Sequence, residues 1–156
     1  MTEPTLRTSH LFTLSLTVDP DMTDVGDTPY GRRRIATVTG GTFEGEELKG
    51  TVLPSPGGDW LLLRRDGILQ LDVRITLKTA DDHLIYMSYR GMRHGPAWVI
   101  EQLNKGEKVD PSQYYFRTTP WFETASEKYR FLNRIVSVAT GRRDPSGPVY
   151  DVFQVL

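Results

Sequence analysis

The sequence predicts a mainly β protein, folded as a single antiparallel β-barrel of about nine strands with one short α-helix covering one end. Three observations carry this expectation. Hydrophobic alternation with a period of two dominates the chain. Turn signals rich in Gly, Pro and Asp recur about every 8–12 residues, as in sandwiches and closed barrels. Only one segment combines helical spacing with a helix start and a helix stop.

The elements follow in order. In the first strand, 11–18, Phe12, Leu14, Leu16 and Val18 share a face with His10, and Ser9, Thr13, Ser15 and Thr17 share the other. Residues 19–33 read as a long loop punctuated by Gly26, Pro29 and Gly31. A second strand, 35–39, meets a break or bulge at Gly40-Gly41, and Glu44-Gly45-Glu46 turns the chain into a third, 47–53. The turn at 54–58 leads to a fourth strand, 59–65. Asp66-Gly67 is a tight-turn dipeptide that joins it to 68–79, the cleanest alternation in the chain. There Leu69, Leu71, Val73, Ile75 and Leu77 oppose Gln70, Asp72, Arg74, Thr76 and Lys78. A turn at Asp81-Asp82-His83, with His83 expected in the left-handed region, opens the strand at 84–90.

Pro96 suits the first turn of the helix, Val99, Ile100 and Leu103 make its apolar side, and Gly106 ends it. The aromatic-rich stretch 113–123 is a strand in which Pro120 marks a break or an edge. After a loop at 124–128, strands at 129–140 and 149–156 complete the set, joined by the turn-rich GRRDPSGP. With no repeat, low-complexity tract or linker, the chain is expected to be one domain, 1–156.

Composition narrows the function. At 156 residues, the chain can bury about 70% of its unfolded surface, enough for a core without staples. A net charge of −1 lacks the clustered cations of a nucleic-acid footprint; the best basic run, Arg32-Arg33-Arg34, reads as a solvated loop end. No cysteine is present, which excludes disulfides, thiolate metal sites and a cysteine nucleophile. No apolar run approaches the roughly 18 residues of a membrane-spanning helix, and the N-terminal residues lack a secretory pattern. A cytoplasmic protein without membrane partners is expected. His10, His83 and His94 show no metal-ligand spacing, and no nucleophile elbow or phosphate-binding glycine loop occurs, so neither metal nor cofactor is expected.

The site question turns on strand parity. Asp72, Arg74, Arg90, Tyr115, Arg117 and Glu123 have compatible parity on three strands. If that parity faces the barrel interior, it brings cations and carboxylates together between aromatic walls. Burying them is costly unless they pair, and an unpaired Arg would receive an anionic ligand. If it faces water, the same residues form a solvated face with cross-strand pairs worth a few tenths of a kcal/mol each.

Several stretches carry a family likeness: LFTLSLTV at 11–18, GRRRIATVTGGTFEG at 31–45, LKGTVLPSPGGDW at 48–60, RRDGILQLDVRITLKTADD at 64–82, IYMSYRG at 85–91, YYFRTTPWFET at 114–124 and YRFLNRIVSVATG at 129–141. Their order resembles the bacterial proteins grouped as domain-of-unknown-function family 3237. One departure is His83, where the family pattern is similar to Asp-Gly in a hairpin. The resemblance implies a barrel of lipocalin type and favours the interior reading. It implies no catalytic residue.

The resulting expectation is a barrel that binds a small, partly aromatic or anionic organic molecule in its lumen. Arg74 and Arg90 would supply charge, and Trp60, Tyr86, Tyr115 and Trp121 the walls. As an enzyme it would be a cofactor-free lyase, isomerase, cyclase or hydrolase. Arg117 and tyrosine donors would stabilise an oxyanion, and Asp72, Glu123 or His94 would move a proton. The alternative is a non-enzymatic structural or assembly protein with a solid barrel and a homodimer interface.

Overall fold

The structure is a computed structural model and describes residues 2–156. Ten strands and one helix follow one another as β1 (Thr8–Val18), β2 (Thr23–Thr28), β3 (Gly31–Glu44), β4 (Lys49–Val52), β5 (Gly58–Leu63), β6 (Leu69–Thr79), β7 (Leu84–His94), α1 (Ala97–Asn104), β8 (Tyr115–Glu123), β9 (Ser137–Asp144) and β10 (Gly147–Val155). Every pairing is antiparallel, and the sheet runs β1-β10-β9-β8-β7-β6-β4-β3 before β3 returns to β1. The result is a closed eight-stranded barrel with two additional short strands, which removes most free sheet edges.

The long strand β3 makes closure possible. Its first half pairs with β2 on one edge and β5 on the other, and its second half with β1 and β4. Gly40 and Gly41 sit at the changeover, both at positive φ, where the β1 register shifts. A Cβ on Gly41 would lie 2.2 Å from the Ser15 carbonyl oxygen, so only glycine lets the two backbones approach there. The expected bulge is therefore present, and it bends the strand without ending it.

Alternation decides the interior. Along β6, Leu71, Val73, Ile75 and Leu77 are buried, while Arg74 and Lys78 are exposed. One end of the barrel is solid. There Phe12 meets Phe43 and Phe122 edge-on at 5.4 and 5.9 Å, among Leu14, Ile75, Leu77, Ile85 and Met87. Helix α1 seats Val99 and Leu103 against the core.

Several local expectations are corrected. Residues 19–33 are not a loop throughout: β2 forms from 23 to 28 as a polar edge strand on β3, with the ladder shifting between Asp24 and Gly26. Residues 130–134 form a 3-10 turn, because Leu132 turns inward while Arg130 and Asn133 stay in water, a spacing that suits a helical turn better than a strand. The left-handed residue in the 81–83 turn is Asp82, at φ 67°, and not His83. Pro96 caps α1 from outside its first turn, and Pro120 lies within β8, where its carbonyl accepts a hydrogen bond from the Ser137 hydroxyl.

Candidate active site

The other end of the barrel is hollow. A cavity of about 520 Å³ opens there beneath α1, inside the roughly 300–1,000 Å³ range of small-molecule sites. The strands that line it share a sequence gradient. On β3 the inward row runs Val38, Ala36, Arg34, Arg32; on β7, Tyr89, Gly91, Arg93; on β9, Ala139, Gly141, Arg143. In each row, an apolar residue gives way to a small one and then to arginine. The small residues make room, and the arginines arrive where the barrel meets water.

Asp59 stands out as the acid of this cavity. It lies near the start of β5, where Asp59 pairs with Val73. The β5–β6 ladder then skips Trp60 and Leu61 and resumes at Leu62 with Gln70. That gap frees the Asp72 backbone N–H, which donates to Asp59 Oδ1 at 3.0 Å. Burial pushes the Asp59 carboxyl up to about 7; the Asp72 N–H bond opposes the rise and the Asp72 charge adds to it.

Tyr150 lines the cavity with Asp59, and Tyr89 packs behind it. Tyr89 and Tyr150 are each 2% exposed, with ring centroids 5.0 Å apart, and Tyr150 also meets Phe116 edge-on at 5.4 Å. Burial raises both phenol pKa values, and the Asp59 charge pushes the same way, so both remain O–H donors. The Tyr89 hydroxyl is buried without a hydrogen-bond partner among the described residues. The Nε of Arg93 is buried and equally unsatisfied, with burial and the neighbouring Arg143 both working against its charge. Among the described residues, no carboxylate pairs with Arg34, Arg93 or Arg143; Arg32 alone of this group is paired, to Asp24. Burying the unpaired Arg93 guanidinium is costly, and an anion in the cavity would relieve that cost.

Phe116 lies flat over Gly141, where a Cβ would come within 2.6 Å of the ring. Gly141→Ala is therefore expected to destabilise the fold by about 1–3 kcal/mol and drive the ring toward the cavity. Urea unfolding midpoints of the two proteins check this. The Tyr114 hydroxyl accepts the Arg143 backbone N–H at 3.0 Å and holds the end of β9 that carries the arginine.

The interior placement expected for Asp72, Arg74, Arg90, Arg117, Glu123, Trp60, Tyr86, Tyr115 and Trp121 is corrected: these side chains point outward. Trp121 is 59% exposed, Tyr115 47%, Tyr86 39% and Trp60 36%, and Arg74, Arg90, Arg117 and Glu123 are exposed as well. The physical reason is the desolvation cost weighed at the outset. The apolar parity of each strand fills the interior, and the charged parity stays in water. Arg74 lies over the Trp60 ring and Arg117 over the Tyr115 ring on that outer surface. His94 stacks on Tyr115 at 4.9 Å, on the face opposite Arg93 and away from the cavity. Asp72 does act on the site, through its backbone N–H bond and the charge it sets near Asp59. Tyr89, Arg93 and Arg143 were legible only through the row gradient, which a comparison of whole strand faces passes over, and Asp59 and Tyr150 lie on strands outside it.

Comparison with known proteins agrees with this architecture. A family model described as a protein of unknown function (DUF3237) matches residues 6–155. A UPF0311 protein of Bradyrhizobium diazoefficiens is 39% identical, with 98% of this chain and 99% of the relative covered. Among solved structures, a conserved protein of unknown function from Rhodopseudomonas palustris superposes with a TM-score of 0.93 at 36% identity, covering 99% of this chain and all of the other. A beta-barrel like protein from Acinetobacter baumannii gives 0.85 at 38% identity, with 99% of each chain covered. A protein described as an enzyme from Penicillium herquei shares the fold at a TM-score of 0.73 and 21% identity, covering 100% of this chain and 99% of that one.

Proposed function

We propose that this chain, which belongs to the DUF3237 family, binds a small anionic, partly aromatic organic molecule in the open half of its barrel and moves a proton on it. The observation that carries the reading is the Asp59 carboxyl, pushed up to about 7, beside the protonated Tyr150 phenol and unpaired arginines, all lining one cavity. The cavity favours this reading over a solid barrel with a purely structural role.

The roles follow from the chemistry. Arg93 and Arg143 neutralise a carboxylate, phenolate or enolate of the ligand through charge-assisted hydrogen bonds. Leu61, Leu71 and Phe116 supply an apolar wall for its body. Asp59 is poised to take a proton at neutral pH and return it, since a general acid–base group works best with a pKa near ambient pH. The Tyr150 hydroxyl donates to the oxygen on which negative charge develops. A base, an acid and an oxyanion donor together suit a cofactor-independent isomerase, lyase or cyclase. In each, one proton leaves carbon or oxygen and one is delivered elsewhere on the same molecule or on its leaving group.

A thermal-shift panel of aromatic carboxylates and keto acids, each set against its neutral amide, tests the binding step. Acids are expected to raise the melting temperature and amides to leave it unchanged, because a ligand bound only by the folded state stabilises that state. Equal responses to acid and amide would remove the arginines from the account.

A further inference from the structure

The outer face of the sheet made by β6, β7 and β8 carries a patch that the cavity does not use. Its rows can be read from the strand register. Arg74, Ser88 and Trp121 lie side by side; Asp72, Arg90 and Thr119 form the next row; Tyr86 and Glu123 lie on the far side. Trp60 reaches the same surface beneath the Arg74 guanidinium, at 5.7 Å. Trp121 and Trp60 are among the exposed large apolar side chains, in a chain that could have hidden them. Exposed Trp, Tyr and Arg concentrated on one face are the residue types that dominate protein–protein contacts.

The charges in the patch have no partners. Asp72, Arg74, Arg90 and Glu123 take part in none of the ion pairs of the described residues. Asp72 and Arg90 stand directly opposite each other across the β6–β7 ladder and still do not pair. The patch thus holds unpaired charges of both signs, Arg74, Arg90 and the neighbouring Arg117 against Asp72 and Glu123, around two tryptophans. A surface that carries both signs does not select a uniformly acidic or basic partner. It is complementary to itself, which is the requirement for a two-fold contact, where one patch must supply both members of every pair.

We propose that this outer face is the interface through which two copies of the chain associate. The short Ser88 in the middle row leaves space between Arg74 and Trp121 for a side chain of the second copy. The inference does not rest on the function proposed for the cavity, because the two sites face opposite sides of the sheet.

Light scattering coupled to size exclusion tests it with two charge variants. Arg74→Glu/Arg90→Glu makes the patch predominantly acidic, with Arg117 left positive, and Asp72→Lys/Glu123→Lys makes it wholly basic. The wild type is expected at twice the 17.7 kDa chain mass. Each variant alone is expected as a monomer, and an equimolar mixture of the two is expected to regain the dimer mass. Trp121→Ser, a single exposed substitution, is expected to weaken the dimer roughly tenfold or more, and covers the case in which a double variant folds poorly. A monomeric wild type overturns the proposal, as does a dimer that persists in both charge variants or a mixture that stays monomeric.

Discussion

Asp59→Asn is expected to make the protein more stable than wild type at alkaline pH while removing its proton-transfer chemistry. The sign follows from the shift. Burial lifts the carboxyl from its ordinary 3.8 to about 7, so between those values the folded chain keeps a proton that the unfolded chain releases. The stability this group contributes is complete below its unfolded pKa and is lost as pH rises through the folded one. The full loss is about 4 kcal/mol, at 1.4 kcal/mol for each tenfold change. Asn remains neutral, and its side-chain oxygen can still accept the Asp72 N–H. The stability gap in favour of Asn should therefore widen by about 4 kcal/mol between about pH 4 and about pH 8. Urea unfolding of both proteins across that range checks it; parallel curves would mean that Asp59 titrates as an ordinary surface acid. A gain of stability on losing a functional group is the pattern expected where a site is held against its own folding preference.

Arg93→Met is expected to abolish binding of carboxylate ligands and to leave the fold intact or firmer. Its Nε has no partner, burial disfavours its charge, and Arg143 repels it. A thioether of similar length fills the same space without a charge to desolvate. Replacing such a group is expected to raise stability by about 1–2 kcal/mol. Calorimetric titration with 4-hydroxybenzoate and denaturant unfolding read the two effects separately. A variant that unfolds readily and still binds would show that Arg93 serves the core and not the ligand.

Much of the fold was legible from period-two alternation, because a barrel imposes that alternation on every strand it closes. The Gly40-Gly41 bulge was readable for a related reason: adjacent glycines inside a strand pattern mark a backbone approach that a Cβ forbids, here to Ser15. What misled was the treatment of parity as all or nothing. On β6 one face is wholly polar, which invites the idea of a wet lumen, yet those side chains are the solvated skin. The residues of the proposed site lie on the apolar parity, at the ends of strands where it degrades from Tyr89 through Gly91 to Arg93 and from Ala139 through Gly141 to Arg143. Asp59 was harder to find. Its role depends on a gap in the β5–β6 ladder, and pairing between distant strands leaves no mark in local sequence. The edge strand β2 was hidden by its composition, since Asp and Gly at an edge serve the same end as in a loop: they keep other chains from pairing there.

The inward-facing cavity is the central claim, and one titration tests it most directly. 4-Hydroxybenzoate is added to wild type, to Arg143→Met on the inner wall, and to Arg117→Leu on the outer skin. Binding is predicted in wild type and in Arg117→Leu and is predicted to vanish in Arg143→Met. Loss of binding in Arg117→Leu with retention in Arg143→Met would move the site to the outside of the barrel and contradict the account.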